Sequence, residues 1–245
     1  MKIYGLIGKT LGHSFSQKYF TEKFLKENIP DCQYQNFEIK DAYKEIPILK
    51  KLPGLSGLNV TIPYKLNILP FLDELTNECK EINACNCIKI KDGKWIGYNT
   101  DVIGFERSFV PHLKSYHKNA LVLGTGGASR AVAFVLKKLH IEFLEVTRNK
   151  ESHPGAITYQ EISKEILEKY NVVINTTPVG MFPKEAAYPD LPYHYISSRH
   201  YFFDLIYNPA KTLFLKKAEE KGAVIENGEE MLIIQAEESW RIWNS

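Results

Sequence analysis

Several groups of polar side chains stand where an apolar run gives out. In "LNVTIPYK", residues 58 to 65, strand alternation points Leu58 and Val60 one way and Asn59 and Thr61 the other. Pro63 stops the run and suits the first turn of a following helix, and Lys65 falls within that turn. Two hydrogen-bonding side chains and one ammonium converge there, and in α/β sheets ligands bind beyond the carboxyl ends of strands. The competing reading is structural: Asn59 and Thr61 cap a helix and Lys65 is solvated. "GHSFSQ" sets Ser14 and Ser16 at the mouth of the first helix, where two hydroxyls and free backbone N–H groups suit a carboxylate. Ordinary capping accounts for one of these serines more readily than for both. "GYNTD" places Asn99, Thr100 and Asp101 at a hairpin's end, and an aspartate near Lys65 would hold it and supply an acid/base partner. "NTTPVGM" follows the apolar "NVVI", again at a carboxyl end.

A second kind of chemistry is written in "LVLGTGGASRA". Gly124, Gly126 and Gly127 follow an apolar strand and precede a helix. Glycines let the chain turn tightly and approach a pyrophosphate, which sits on the free N–H groups of the helix. The third position of the usual fingerprint is Ser129, small but not glycine. The next strand ends "VTRNK", with Thr147, Arg148, Asn149 and Lys150. A site for NAD carries Asp or Glu there, which would repel a 2′-phosphate, whereas a guanidinium binds one through two charged hydrogen bonds. NADP is therefore favoured over NAD. Glu145 lies further back on that strand. The competing reading makes the glycines a structural turn and the basic residues solvated loop charges.

The elements that must carry these groups alternate between strand and helix, which predicts an α/β protein with mainly parallel sheets. In the first half, strands are expected at "KIYGLIG", "QYQNFEI" and "GLSGLNVT", and helices at "SQKYFTEKFLKEN", "DAYKEIPILKK" and, largely, "PYKLNILPFLDEL". "NACNCIKIKDGKWIGYNTD" reads as a hairpin turning at Asp92-Gly93. The pattern restarts with the glycine turn and its helix, then strand "EFLEVTRN", helix "YQEISKEILEKY", strands "NVVINTTP" and "YFFDLIYNP", helix "TLFLKKAEEKG", strand "AVIENG" and terminal helix "EEMLIIQAEESWRIW". Between "EFLEVT" and "AITYQ" there are too few residues for a parallel crossover, so a loop or a short irregular edge is expected in place of a helix.

Composition narrows the class. At 245 residues and 44% hydrophobic, the chain can bury one or two cores. A net charge of +2 offers no basic patch for nucleic acid, and no apolar run reaches the roughly 20 residues of a membrane helix. "MKIYGLIGK" is too short and glycine-broken for a signal peptide. The four cysteines have neither disulfide-framework nor zinc-site spacing, so no metal is expected and a reduced, cytoplasmic setting is the default.

Taken in order, the motifs resemble those of the shikimate dehydrogenases: Gly8 with His13-Ser14-Phe15-Ser16; Asn59-Val60-Thr61-x-Pro63-x-Lys65; Asn86; Gly97-x-Asn99-Thr100-Asp101-x-x-Gly104; Gly124-x-Gly126-Gly127-Ala128; Asn175-x-Thr177-Pro178-Val179-Gly180-Met181; Asp204-Leu205-Ile206-Tyr207-Asn208-Pro209; and Asn227-Gly228 followed by Met231-Leu232 and Gln235-Ala236. The resemblance runs nearly end to end. It implies a substrate-binding catalytic domain at 1–102, a Rossmann-like NADP-binding domain at 103–227, and a terminal helix, 228–245, packing back on the first domain. It implies NADPH-dependent reduction of 3-dehydroshikimate to shikimate, with Lys65 and Asp101 as the acid/base pair. Ser14 and Ser16 would hold the substrate carboxylate with Tyr207 nearby, and Asn59, Thr61, Asn86, Asp101 and Gln235 would bond the ring hydroxyls. The cofactor would meet Gly124, Thr125, Gly126, Gly127, Ala128, Thr147, Arg148, Asn149, Thr177, Leu205 and Gly228. The partner is a small molecule, with monomer and homodimer both open. The chain departs from the pattern at "INAC" before Asn86, at Cys87 where threonine is usual, and at Thr147-Arg148-Asn149 where Asn-Arg-Thr is common, and it is a shortened member. The alternatives are a quinate dehydrogenase using NAD, which Arg148 argues against, and a non-catalytic NADP-binding regulator, which the intact Lys65 and Asp101 argue against.

Overall fold

The computed structural model describes residues 1–12 and 14–245; His13 of the serine motif lies outside the described residues. The chain divides into two compact units, Met1–Thr100 with Ala236–Ser245, and Asp101–Gln235.

The first unit is built on a mixed six-stranded sheet. Strands β1 (Lys2–Gly8), β2 (Cys32–Glu38), β3 (Leu55–Val60), β4 (Glu74–Leu75), β5 (Cys87–Lys91) and β6 (Lys94–Tyr98) take the order β2-β1-β3-β5-β6-β4. β1 runs parallel to β2 and β3, and β4 runs parallel to β6. β5 is antiparallel to both neighbours because the β5–β6 hairpin reverses at Asp92 and Gly93, both at positive φ. Three of the five pairings in this sheet are parallel, so the mainly parallel expectation holds here with one antiparallel hairpin inserted. Side chains of β1 alternate: Tyr4 and Leu6 join one buried cluster, Ile7 the other. Helices α1 (Phe15–Lys26), α2 (Ala42–Leu49) and α3 (Asn77–Ile82) accompany the sheet.

One of these clusters is closed by the end of the terminal helix α8 (Glu229–Trp243). Trp243 stacks on Tyr4 with centroids 4.9 Å apart and donates its indole N–H to the Ile88 carbonyl at 3.0 Å. A Cβ on Gly57 would stand 2.5 Å from that indole, so β3 has to be bare there. Lys23 of α1 bonds both oxygens of Glu237 at 2.9 Å, and the Tyr19 hydroxyl donates to the same carboxylate.

The second unit carries an all-parallel sheet in the order β11-β10-β9-β7-β8, made of β7 (Asn119–Leu123), β8 (Glu142–Val146), β9 (Val172–Asn175), β10 (Tyr201–Asp204) and β11 (Val224–Glu226). Helices α4 (Asp101–Phe109), α5 (Gly127–Lys138), α6 (Lys164–Lys169) and α7 (Leu213–Glu219) complete this Rossmann-like fold. Beyond β8 the sheet is extended only by an isolated parallel bridge, Val146 with Ile157, and no helix precedes it, as the short spacing requires.

Three expectations are corrected. "PYKLNILPFLDEL" forms turns, a 3₁₀ segment at Leu69–Phe71 and then β4, because Pro70 has no N–H to give the Leu66 carbonyl and its ring crowds that group. "YQEISKEILEKY" splits: Thr158 and Glu161 cap a 3₁₀ turn at Tyr159–Glu161, and Ser163 restarts the chain as α6. The strand at "YFFDLIYNP" stops at Asp204, whose carboxylate accepts the Ile206 N–H and turns the chain. α3, capped by Thr76, and α4 were not anticipated. Among the described residues no helix is long and apolar enough to cross a membrane, and no cluster of three or more His, Cys, Asp or Glu could hold a metal.

Trp243→Ala removes a buried aromatic and orphans the Ile88 carbonyl. The expected cost is about 3–5 kcal/mol of unfolding free energy, read by denaturant titration.

Candidate active site

In the first unit the polar side chains at the strand ends form one buried chain. Asn59, 4% exposed at the end of β3, accepts the Tyr34 hydroxyl on Oδ1 at 2.9 Å. Its Nδ2 donates to Ser239 Oγ at 2.9 Å and, more weakly, to the Asn86 carbonyl at 3.4 Å. Asn86 is clamped by Thr100: the Thr100 N–H donates to Oδ1 at 2.6 Å and Nδ2 donates to Thr100 Oγ1 at 3.0 Å. Burial pushes the Tyr34 phenol well up, and a hydrogen bond from Ser16 opposes this.

The serines therefore differ. Ser14 is the N-cap of α1, accepting the Gln17 N–H at 3.3 Å, which leaves its own O–H to donate. Ser16 is buried, with its hydroxyl near the Tyr34 phenol. Thr61 is half-buried, its backbone N–H on the Ile7 carbonyl at 2.9 Å. Lys65, also half-buried, has its carbonyl fixed by the Cys85 N–H at 2.8 Å, so the turn that replaces the expected helix is anchored to the segment entering β5. Asn99 donates to the Ala84 carbonyl, while its Oδ1 is a buried acceptor with no partner among the described residues.

Asp101, Gln235 and Tyr207 belong to the second unit. Asp101 is buried as the first residue of α4. Gln235 is buried on α8, its Nε2 donating to the Leu232 carbonyl at 3.0 Å. Tyr207 is half-buried, which raises its phenol.

The glycine turn has the geometry a pyrophosphate needs. Gly124 holds φ +109°, and a Cβ there would meet Thr176 Oγ1 at 2.8 Å and Thr177 Cγ2 at 3.0 Å. Gly126 is the N-cap of α5 and offers no side-chain cap, so the first N–H groups of that helix have no side-chain acceptor. A Cβ at Gly126 would meet nothing within 4 Å, which leaves the approach to those N–H groups open. Ser129 stands in the third glycine's place by folding its hydroxyl onto the Gly126 carbonyl at 2.7 Å. The residues present thus fit a dinucleotide.

At the end of β8, Thr147 and Asn149 shape the loop rather than face outward. Thr147 Oγ1 accepts the Asn149 N–H at 3.2 Å, and Asn149 Oδ1 accepts the Ser152 N–H at 3.4 Å. Lys150 is paired with Glu161, a bond that, with the Thr158 donors, drops the Glu161 carboxyl to about 2. Arg148 is exposed, and among the described residues its guanidinium has no hydrogen-bond or ion-pair partner. His153, which the sequence did not single out, lies with Nε2 3.1 Å from Thr125 Oγ1 and ties this loop to the glycine turn. At the other strand ends, Thr177 bonds Asn175, and Gly228 comes so near Leu205 that any Cβ would collide with its carbonyl.

Asp204 fixes these neighbours. Its carboxylate accepts Asn175 Nδ2 at 3.0 Å, the Ile206 N–H at 3.1 Å and Thr212 Oγ1 at 2.6 Å.

An open helix N-terminus behind a glycine turn, with an exposed arginine just past the end of the next strand, fits a dinucleotide-dependent oxidoreductase. The comparisons agree. The family described as the shikimate dehydrogenase substrate binding domain matches residues 6–88. A shikimate dehydrogenase (NADP(+)) of Caldicellulosiruptor bescii is 40% identical, the alignment covering 99% of this chain and 89% of that protein. The shikimate dehydrogenase structure from Aquifex aeolicus superposes with a TM-score of 0.87 at 35% identity, over 100% of this chain and 92% of that one. That from Thermus thermophilus, in complex with NADP(H) and shikimate, gives 0.86 at 27% identity, over 99% and 93%. The chain belongs to the shikimate dehydrogenase family.

Burial raises the Asp204 carboxyl to about 7 in spite of its three donors. The folded protein then holds a proton that the unfolded chain, with its Asp near 3.9, has lost, so stability falls as pH rises between about 4 and 7. The melting temperature is expected to decline from pH 5 to 7, and the near-isosteric Asp204→Asn to lose that part of the slope.

Proposed function

We propose that this protein catalyses the reversible, NADPH-dependent reduction of 3-dehydroshikimate to shikimate, the step of that family in the route to aromatic amino acids. The observation that carries this reading is kinship along nearly the whole chain with Lys65 and Asp101 both present. NADP, when bound, supplies or accepts the hydride. The glycine turn, from Gly124 to Ala128 with Thr125, and the α5 N-terminus would hold its pyrophosphate. Thr147, Arg148 and Asn149 would meet the 2′-phosphate end, with Arg148 as the charged partner, and Thr177, Leu205 and Gly228 would line the remainder.

Ser14 and Ser16 would take the substrate carboxylate, with Tyr207 beside it. Thr61, Asn86, Asp101 and Gln235 would bond the ring hydroxyls. Asn59, already engaged by Tyr34 and Ser239, has the second lone pair of Oδ1 to add. As the carbonyl carbon is reduced, charge gathers on its oxygen, and the Lys65 ammonium stabilises that charge more in the transition state than in the ground state. Lys65 then gives up a proton to the alkoxide; in the reverse direction neutral Lys65 takes the alcohol's proton, with Asp101 as its acid/base partner. The setting we propose is the cytoplasm, with a small-molecule substrate, no nucleic-acid or membrane partner, and a monomer or homodimer.

Initial rates with shikimate and with quinate, each with NADP and with NAD, test the reading. Turnover confined to shikimate with NADP is expected, and preference for quinate or NAD would replace it with the broader dehydrogenase. Lys65→Ala should lower kcat by roughly 10²- to 10⁴-fold while KM for shikimate moves far less; matched changes in both would remove its chemical role. Arg148→Ala should raise KM for NADP roughly 10- to 100-fold and leave KM for NAD within about twofold.

A further inference from the structure

One hydroxyl at the centre of the buried polar chain comes from the far end of the sequence. Ser239, on α8, is fully buried. Its Oγ accepts Asn59 Nδ2 at 2.9 Å, lies 3.2 Å from Thr100 Oγ1, and reaches the Cys87 thiol, which burial pushes up to about 12 and so keeps protonated. Asn59 sits at the end of β3 and Thr100 clamps Asn86, so a single hydroxyl joins two side chains that the proposed reaction assigns to the substrate.

We propose that Ser239 is a positioning residue that fixes the orientation of the Asn59 amide and the Asn86–Thr100 clamp, and through them sets the affinity for the substrate's ring hydroxyls. This rests on the shikimate reading of the site. A carboxamide is nearly symmetric in shape, so its partners decide which end points where. Tyr34, as a donor, demands Oδ1; Ser239, as an acceptor, demands Nδ2. Without the Ser239 oxygen, Nδ2 keeps only the long 3.4 Å contact to the Asn86 carbonyl, and a buried donor loses its better acceptor. The amide is then free to turn, and Tyr34 loses the acceptor that orders it. On the other side Thr100 Oγ1 loses one neighbour, and its hold on Asn86 then rests on the two bonds of the clamp without the support of α8.

Such an effect belongs to substrate affinity, because every group in the chain lies in the first unit and none in the glycine turn. A merely structural serine would lower the melting temperature and leave both KM values alone. The test is steady-state kinetics of Ser239→Ala and Ser239→Cys with shikimate and NADP, alongside thermal melts. Ser239→Ala should raise KM for shikimate roughly 5- to 10-fold, with KM for NADP within about twofold and kcat falling by less than KM rises. Ser239→Cys, of similar volume but weaker in hydrogen bonding, should fall between. A folded Ser239→Ala protein whose KM for shikimate stays within about twofold, or whose two KM values rise together, overturns the inference alone. No turnover of shikimate by the unsubstituted protein overturns the functional reading and this inference with it.

Discussion

A polar side chain can be buried only if its hydrogen bonds are made, and the first unit is arranged around that constraint at Asn59. The amide stands at the end of β3 at 4% exposure, where an unpaired group would cost about 1–3 kcal/mol. It is satisfied from three separate stretches: Tyr34 from β2, the Asn86 carbonyl from the entry to β5, and Ser239 from α8. Tyr34 in turn stacks on Phe20 of α1, with ring centroids 4.7 Å apart. The polar chain and the aromatic cluster therefore share residues, and neither can shift without the other. The terminal helix must dock for Asn59 to be paired, and Gly57 must lack a side chain for Trp243 to dock. A glycine in β3 thus bears on the polar groups two residues further along the same strand.

The second unit solves a different problem, which is to bring backbone rather than side chains up to a ligand. Its glycines follow from that. Gly124 takes a φ that side chains avoid and packs against Thr176 and Thr177, while Gly228 lies against the Leu205 carbonyl. Asp204, buried without a counter-ion among its hydrogen-bond partners, holds the turn after β10, the Asn175 amide and the Thr212 cap of α7 in register. Three donors on one carboxylate explain why an acidic residue is tolerated in the sheet at all.

Much of this was legible in the sequence, for physical reasons that can be named. Strands with strict alternation, the Asp92-Gly93 hairpin and the glycine turn are local signals, set by residues within a few positions of one another. The missing crossover before Ile157 was legible because chain length alone forbids it. What failed was decided by a single residue inside an otherwise helical pattern, Pro70, or by side-chain caps at Thr158 and Ser163 that broke one helix into two pieces. Tyr34 and Ser239 left no signal, since their partner Asn59 lies 25 and 180 residues away. His153 was hidden for the same reason, because its link to Thr125 depends on how the loop folds. Asn59 carries both readings at once: it is wired into the fold, and it is among the residues we propose for the substrate.

The outer edge of the second sheet meets the same demand for paired groups. With the helix after β8 absent, the strand's outer edge would expose unpaired groups. Instead Thr147 donates to the Ile157 carbonyl at 2.8 Å and Ile157 donates to the Glu145 carbonyl at 2.9 Å, so the returning loop pairs the edge in two bonds. Thr147 and Asn149 then close the turn through their own side chains, and Lys150 is drawn to Glu161 at the far side of the loop. Thr147, Asn149 and Lys150 are thereby occupied, the Arg148 guanidinium has no hydrogen-bond or ion-pair partner among the described residues, and His153 pins the loop to the glycine turn. Arg148, the side chain we propose for the 2′-phosphate, is thus held on a frame of backbone hydrogen bonds rather than on packed secondary structure.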